Sequence, residues 1–274
     1  MPMFPFSARG IAEIIQNSGP DTDGPLQRFA AQMTLDVTKV IVDTDGDYNL
    51  IQTVFAGWQR TFEDLMGQQY RRVQQRTVDI IMYGLRVDIG LNDPVMLDVL
   101  HSGGRRAGLI QVARKDRLFA LIAKARAAGE NPLDFAPRIA KQTGVSPGRA
   151  RTIARTETKY AQNLSQLASY TVAGNVHRVE IVDGQLGSPK SDKFCIDRDG
   201  KIITLAEAQT LTATEHPNGT LNFSPIVERP SMPPSAERLA DARRRLKNMP
   251  VGQRRALEKL SRATGRRTQR NLEG

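Results

Sequence analysis

The stretch from Ser146 to Gly174, SPGRARTIARTETKYAQNLSQLASYTVAG, constrains this chain's fold more than any other. Ser146 is placed to accept from an orphan backbone N–H as an N-cap, and Pro147 falls at the first helical position, where its missing donor costs nothing. Gly174 offers a left-handed C-cap. Between them Ala150, Ile153, Ala154, Tyr160, Ala161, Leu164, Leu167, Ala168, Thr171 and Val172 recur at three- and four-residue steps, one helical face at about 100° per residue. Glu157 lies near the middle of that face. A carboxylate aimed into a core needs a partner, so one is expected from elsewhere in the chain. Arg155, two residues away, leaves by the opposite side.

The content of 39% hydrophobic and 25% charged residues is ordinary for a folded chain, while 5% aromatic is lean. This predicts helices packed through Ala, Leu, Ile and Val. No apolar run reaches the roughly 18 residues of a membrane span, so no membrane partner is expected. The start MPMFPFSARG lacks the basic and apolar regions of a signal peptide, which predicts no secretory signal and synthesis in a reducing cytoplasm. Cys195 is the single cysteine. It cannot staple the chain internally, and with no Cys/His cluster neither a metal nor another cofactor is expected. The net charge of +10 is concentrated: from Ser231 onward twelve Lys or Arg stand against four acids, so +8 lies in the tail. Such a segment is an electrostatic footprint for nucleic acid or an acidic protein surface, with a solvated Arg-rich helix as the plainer reading. Its candidate contacts are Arg243, Arg244, Arg245, Lys247, Arg254, Arg255, Arg266 and Arg267.

The predicted class is α+β, a mainly helical N-terminal region packed on a small β-rich module, with a basic helical C-terminal tail. Residues 1–25 read as a proline-rich arm around Ile11–Ile15, ordered only by a neighbour. Residues 26–145 read as helices: Leu26–Val42, Tyr48–Gln75 with Trp58 as a core anchor, Val78–Leu91, a short helix from Asn92 to Ser102–Gly104, then Arg105–Ala128. A further one from Asn131 to Gly144 bends at Pro137. Asp43, Asp45 and Asp47 have the spacing of a calcium-loop start, but Tyr48 and Val54 stand where such a loop needs Gly and Glu, which leaves an Asx-rich cap. Residues 146–228 form the module. VHRVEIVDG reads as a strand ended by Asp183, and FCIDRDGKIITL as a hairpin turning at Arg198-Asp199-Gly200. LAEAQTLTA reads as a helix, and strand character returns through Leu221, Phe223 and Ile226. A β unit this small needs a helix to pack on. That puts the expected partner of Glu157 here: Arg178, Arg198, His177, His216 or backbone N–H groups. Residues 229–274 are a stiff proline linker and the basic tail.

The run RARTIARTET, a following Ala/Asn-rich helix, an aspartate–cysteine region and His216-Pro217-Asn218 together resemble the phage head-morphogenesis family of minor head proteins, the Mu F-like minor capsid proteins. The likeness covers about residues 130 to 228. The family's signature corresponds here to Ile153, Ala154, Arg155, Thr156 and Glu157, and Asp183, Cys195, His216, Pro217 and Asn218 belong to the later part of the pattern. The family usually ends in an HPNCRC-like string, whereas this chain continues with Gly219, Thr220 and Leu221. The resemblance implies a virion structural component with no catalytic residues. It would be made in the host cytoplasm and reside in the phage head at the portal vertex. Implied partners are the portal protein, with scaffold or major capsid protein as further ones, and DNA through the basic tail.

The alternative is a nucleic-acid-binding protein, or an enzyme acting on nucleotides or nucleic acid through Arg155, Glu157, His177, Asp183 and His216. It lacks a Gly-rich phosphate loop, and Arg155 and Glu157 leave opposite faces of their helix. For single residues the structural readings weigh more: Glu157 a buried structural carboxylate, His216 a turn or core histidine, Cys195 a small apolar filler.

Overall fold

The computed structural model describes residues 8–17, 23–143, 146–183, 193–217, 219–228 and 233–248. The fold is α+β and dominated by helices. Two compact units are built from interleaved pieces of chain, one from 1–20, 70–100 and 156–274, the other from 21–69 and 101–155.

The second unit contains α2 (Asp23–Asp43) and α5 (Pro132–Thr143), together with residues 48–69 of α3 (Tyr48–Leu85), 101–127 of α4 (Pro94–Ala127) and 147–155 of α6 (Pro147–Ala173). Val37, Ile41, Ile51, Phe55, Leu118, Ile122, Phe135 and Ile139 form its core. Trp58 packs against that core, edge-on to Phe55. The acidic turn after α2 acts as a cap: Asp47 accepts from the backbone N–H of Leu50 at 3.0 Å, and Gly46, at φ +73°, offers its carbonyl to Arg126 at 2.8 Å.

Two helices run longer than the sequence reading. α3 passes through Arg76 and Thr77 to Leu85, joining the two expected pieces, because Val73, Val78, Ile81 and Leu85 bury along it. α4 passes through Ser102-Gly103-Gly104 without a break. Glycine costs a helix about 1 kcal/mol relative to alanine, a cost that burial elsewhere on a helix this long outweighs. Pro137 likewise lies inside α5.

The first unit holds the sheet. β1 (Val176–Val182) is central, flanked antiparallel by β2 (Ile202–Thr204) and β3 (Asn222–Val227). Val179 faces Ile203 on one side and Pro225 on the other. Pro225 is tolerated because β3 is an edge strand. The imperfect alternation of VHRVEIV has a cause. Val176 pairs with Val227 and Arg178 with Ile226, so His177 is an extra residue, a β-bulge. α8 (Leu205–Thr214) starts at a capping box in which Thr204 and Glu207 satisfy each other's backbone N–H groups.

Two sequence expectations are corrected here. Residues Phe194–Leu205 are not a hairpin: α7 (Lys193–Arg198) precedes the turn at Asp199-Gly200, and only Ile202–Thr204 is strand. The turn is where it was expected, with Gly200 at φ +77°. The amino-terminal segment is also more than an arm. α1 (Ala8–Asn17) inserts Ile11, Ile14 and Ile15 into the core with Ile81, Leu167, Tyr170, Val179 and Phe223, so the neighbour that orders it is this chain itself.

α6 is capped as its sequence requires. Ser146 Oγ accepts from the Arg149 N–H at 3.2 Å, and Gly174 stands at φ +68°. Its buried face is only partly apolar. Gln162 donates to the Ile15 carbonyl at 2.6 Å, Asn163 to that of Leu221 at 3.0 Å, and Gln166 to that of Phe223 at 2.5 Å. These side-chain amides answer backbone carbonyls of α1 and the β3 segment, and Asn222 in return donates to Ala12. The donor half of each buried amide is thereby satisfied, while the amide oxygens of Asn163 and Gln166 are buried without a hydrogen bond, and the pattern ties α1, α6 and β3 into one register.

Candidate functional site

Asp183 follows the last residue of β1 and is 2% exposed. Arg198, the last residue of α7, donates through Nε to Asp183 and through Nη2 to Glu215 Oε2 at 2.5 Å. Thr220 donates to the second Asp183 oxygen at 2.6 Å, and the Asp183 N–H is received by Asp199 at 2.8 Å. Burial by itself would lower the pKa of Arg198, but hydrogen bonds and charge from Glu215 and Asp183 reverse that and raise it. The guanidinium also lies 4.7 Å from the Phe194 ring centroid. One cation thus holds two acids from separate parts of the module.

Around this knot sit Cys195, buried, with Sγ 3.9 Å from Arg198 Nη2 and 3.7 Å from His216 Nε2. His216 Nε2 is also 3.7 Å from Glu215 Oε1, with its side chain 48% exposed. Lys159 reaches in from α6. Its Nζ is sealed from solvent without a hydrogen-bond partner. Burial lowers its pKa from 10.5 to about 7, against the opposing pull of Asp183 and Glu215.

Cys195, Glu215 and His216 place three donor atoms within 4.8 Å of one another, a set that could hold a metal ion. Arg198 works against that use: its guanidinium already binds the Glu215 carboxylate and lies beside the thiol sulfur, so a divalent cation would meet a fixed positive charge. A thiol 3.7 Å from an imidazole is also the pairing that a cysteine nucleophile uses. The sulfur is enclosed, however, at 2% exposure of the residue. The arrangement suits charge neutralisation inside the module better than attack on a substrate.

The remaining sequence candidates divide. In the signature segment Ala154 and Glu157 point inward, Arg155 is exposed, and Ile153 and Thr156 are half-buried. For Glu157 the sequence reading looked only to the β module, whereas Tyr70 of α3 donates to its Oε2 at 2.7 Å. An acid on the buried face of α6 requires a donor, and a phenol 87 residues away supplies one. Asp183, Cys195 and His216 do come together; Pro217 lies in the turn beside them, with its carbonyl 3.1 Å from His216 Nδ1. Asn218 lies outside the described residues.

In the tail, α9 (Ala236–Lys247) leaves Arg243, Arg244 and Lys247 exposed, with Arg244 3.0 Å from Asp241. Arg245 is committed to Asp79 by two hydrogen bonds of 2.9 and 2.8 Å. Arg254, Arg255, Arg266 and Arg267 lie outside the described residues.

The sequence reading missed the roles of Lys159, Glu215 and Tyr70, and weighed Arg198 only as a partner for Glu157. A signal existed for part of this: Lys159, Gln162, Asn163 and Gln166 repeat at three- and four-residue steps, a polar ridge beside the apolar one. Compared with protein-family models, curated proteins and solved structures, the chain matches none.

Proposed function

We propose that this chain is a minor head protein of the phage head-morphogenesis kind, a structural virion component that acts at the portal vertex and contacts the portal protein. The observation that supports this best is how the motif residues are spent. Glu157 bonds Tyr70, Asp183 bonds Arg198 and Thr220, and Cys195 is enclosed beside Arg198 and His216. Each serves cohesion of the module, as a scaffold requires, and the sulfur of the grouping is enclosed. The outward signature residue is Arg155, exposed on α6 and suited to an acidic partner surface.

The test is assembly. The full chain is co-expressed with the portal protein of the same phage, and complexes and heads are separated by sedimentation. On this reading the chain co-sediments with portal and with heads, and Arg155→Glu weakens that association in protein whose circular dichroism remains that of the folded chain. Absence of the chain from both fractions overturns the reading.

A further inference from the structure

α9 is seated on the first unit by charge more than by packing. Of its residues only Ala242 is buried, and Leu246 packs half-buried at the edge of the apolar core. Two arginines make the connection. Arg238 donates through Nη1 to Asp88 and through Nη2 to the Ile89 carbonyl at 2.5 Å, and Arg245 donates to the two oxygens of Asp79 at 2.9 and 2.8 Å. They stand seven residues apart, two turns of helix, and so leave α9 on one side. Val78, Met82, Ile89 and Leu91 line a cleft of about 220 Å³ that α9 closes with Arg238 and Arg245. A cleft left beneath a seated helix marks apolar contact that is not made. Asp79 is 2% exposed, and burial pushes its pKa up against the pull of Arg245 and Gln75. An acid so placed selects a cation on whatever helix takes this seat.

From these observations we infer that the groove formed by residues 78–91 is a docking site for a basic amphipathic helix, and that α9 of a second copy of this chain takes it in exchange for the resident one. The charge pattern names the occupant. The two acids, Asp79 and Asp88, are met by guanidinium groups two helical turns apart with a small residue, Ala242, in the span. A second copy carries that helix by construction, whereas any other partner has to reproduce the spacing. Being 12 residues long, α9 is marginal as an isolated helix, so it persists by docking and gains the same contacts on either copy. An exchanged pair closes with two-fold symmetry, each copy giving one helix and receiving one. Within one chain the tether favours the resident helix, so exchange grows with concentration. The inference stands whether or not the chain is a head protein.

The test reverses one partner at a time in the full chain. With Asp88→Arg in one preparation and Arg238→Asp in another, the resident seat sets like charges together, yet the α9 of each chain matches the groove of the other. Both side chains are part-exposed, and circular dichroism checks the fold. In sedimentation velocity at low salt the equimolar mixture is expected to dimerise at least about tenfold more tightly than either chain alone. That gain shrinks as salt screens the pairs. A mixture no tighter than its components overturns the inference. So does either chain alone dimerising as tightly as the mixture, which would put the contact on another surface. A second measurement uses the unaltered chain: two preparations with different tags are mixed at high concentration, and recovery of one with the other is followed. A synthetic peptide of residues 233–248 in excess is expected to abolish recovery, and the same peptide with Arg238→Asp and Arg245→Asp to leave it intact. No recovery, or recovery indifferent to the first peptide, overturns the exchange.

Discussion

Lys159 makes the fold's stability depend on pH in a way that isolates one group. Its ammonium is enclosed with no hydrogen-bond partner, and burial brings its pKa down from 10.5 to about 7. Between those values the unfolded chain keeps a proton that the folded chain has released. Stability therefore rises with pH across that window and carries its full penalty below about pH 7. At 1.36 kcal/mol per factor of ten in proton affinity, the penalty has a ceiling of about 5 kcal/mol. The ceiling is approached only if the half-buried stem of Lys159 cannot swing its head to water. Lys159→Met keeps the length and removes the charge. Urea unfolding of both proteins from about pH 6 to about pH 10 gives the difference in stability, with titrations shared by the two cancelling. The variant is expected to be the more stable by several kcal/mol at the acid end, and the gap to close toward the alkaline end. A gap constant to within about 0.5 kcal/mol would refute the reasoning, because no differential protonation of Lys159 would then exist.

Other consequences concern the bonds that close the first unit. Arg198→Met leaves Asp183 and Glu215 as buried acids without their cation and is expected to cost about 3–5 kcal/mol in denaturant unfolding; a loss near that of a surface substitution would contradict the knot. Gly219→Ala places a Cβ 1.7 Å from Glu215 Oε1, while Oε2 of that carboxylate is held by Arg198. It should lower stability by about 1–3 kcal/mol, and an unchanged melting temperature would show that Glu215 is free to move. Tyr70→Phe and Glu157→Gln, combined in a double-mutant cycle, are expected to show a coupling of about 1–3 kcal/mol. Strict additivity would mean that the phenol and the carboxylate do not meet.

How much of this was legible in the sequence follows the range of each interaction. Local signals were read well: the Ser146 and Gly174 caps of α6, the strand at Val176–Val182 and the turn glycine at Gly200 are set by residues within a few positions. Misreadings arose where tertiary burial overrides a local preference. Ser102-Gly103-Gly104 resembles a helix end, yet α4 continues, and the apolar piece at Ile11–Ile15 read as part of an arm ordered only by a neighbour because its partners lie far along the chain. FCIDR was read as strand from its apolar residues. In the structure it is a helical turn whose Phe194 and Ile196 stay exposed while Cys195 and Arg198 bury. The candidate site depends almost wholly on long-range pairing. Arg198 and Glu215 are 17 residues apart and Tyr70 and Glu157 are 87 apart, with no periodicity to announce either pair.

The departure of this chain from the pattern it resembles then acquires a physical reading. Where that pattern continues from HPN with cysteines, this chain has Gly219 and Leu221. Leu221 is fully buried in the apolar core, and its carbonyl receives Asn163. Gly219 abuts the Glu215 carboxylate so closely that any side chain would collide with it. A cysteine at 219 would meet the carboxylate that Arg198 holds, and one at 221 would replace a side chain of the apolar core; an arginine with two acids closes the module instead. Closure by ions predicts indifference to reagents that attack sulfur or metal. Melting of the chain should shift by less than about 2 °C on adding a strong chelator or a thiol reductant. A chelator that lowered the melting temperature by several degrees would reverse the argument, since Cys195, Glu215 and His216 would then be acting as ligands in preference to Arg198.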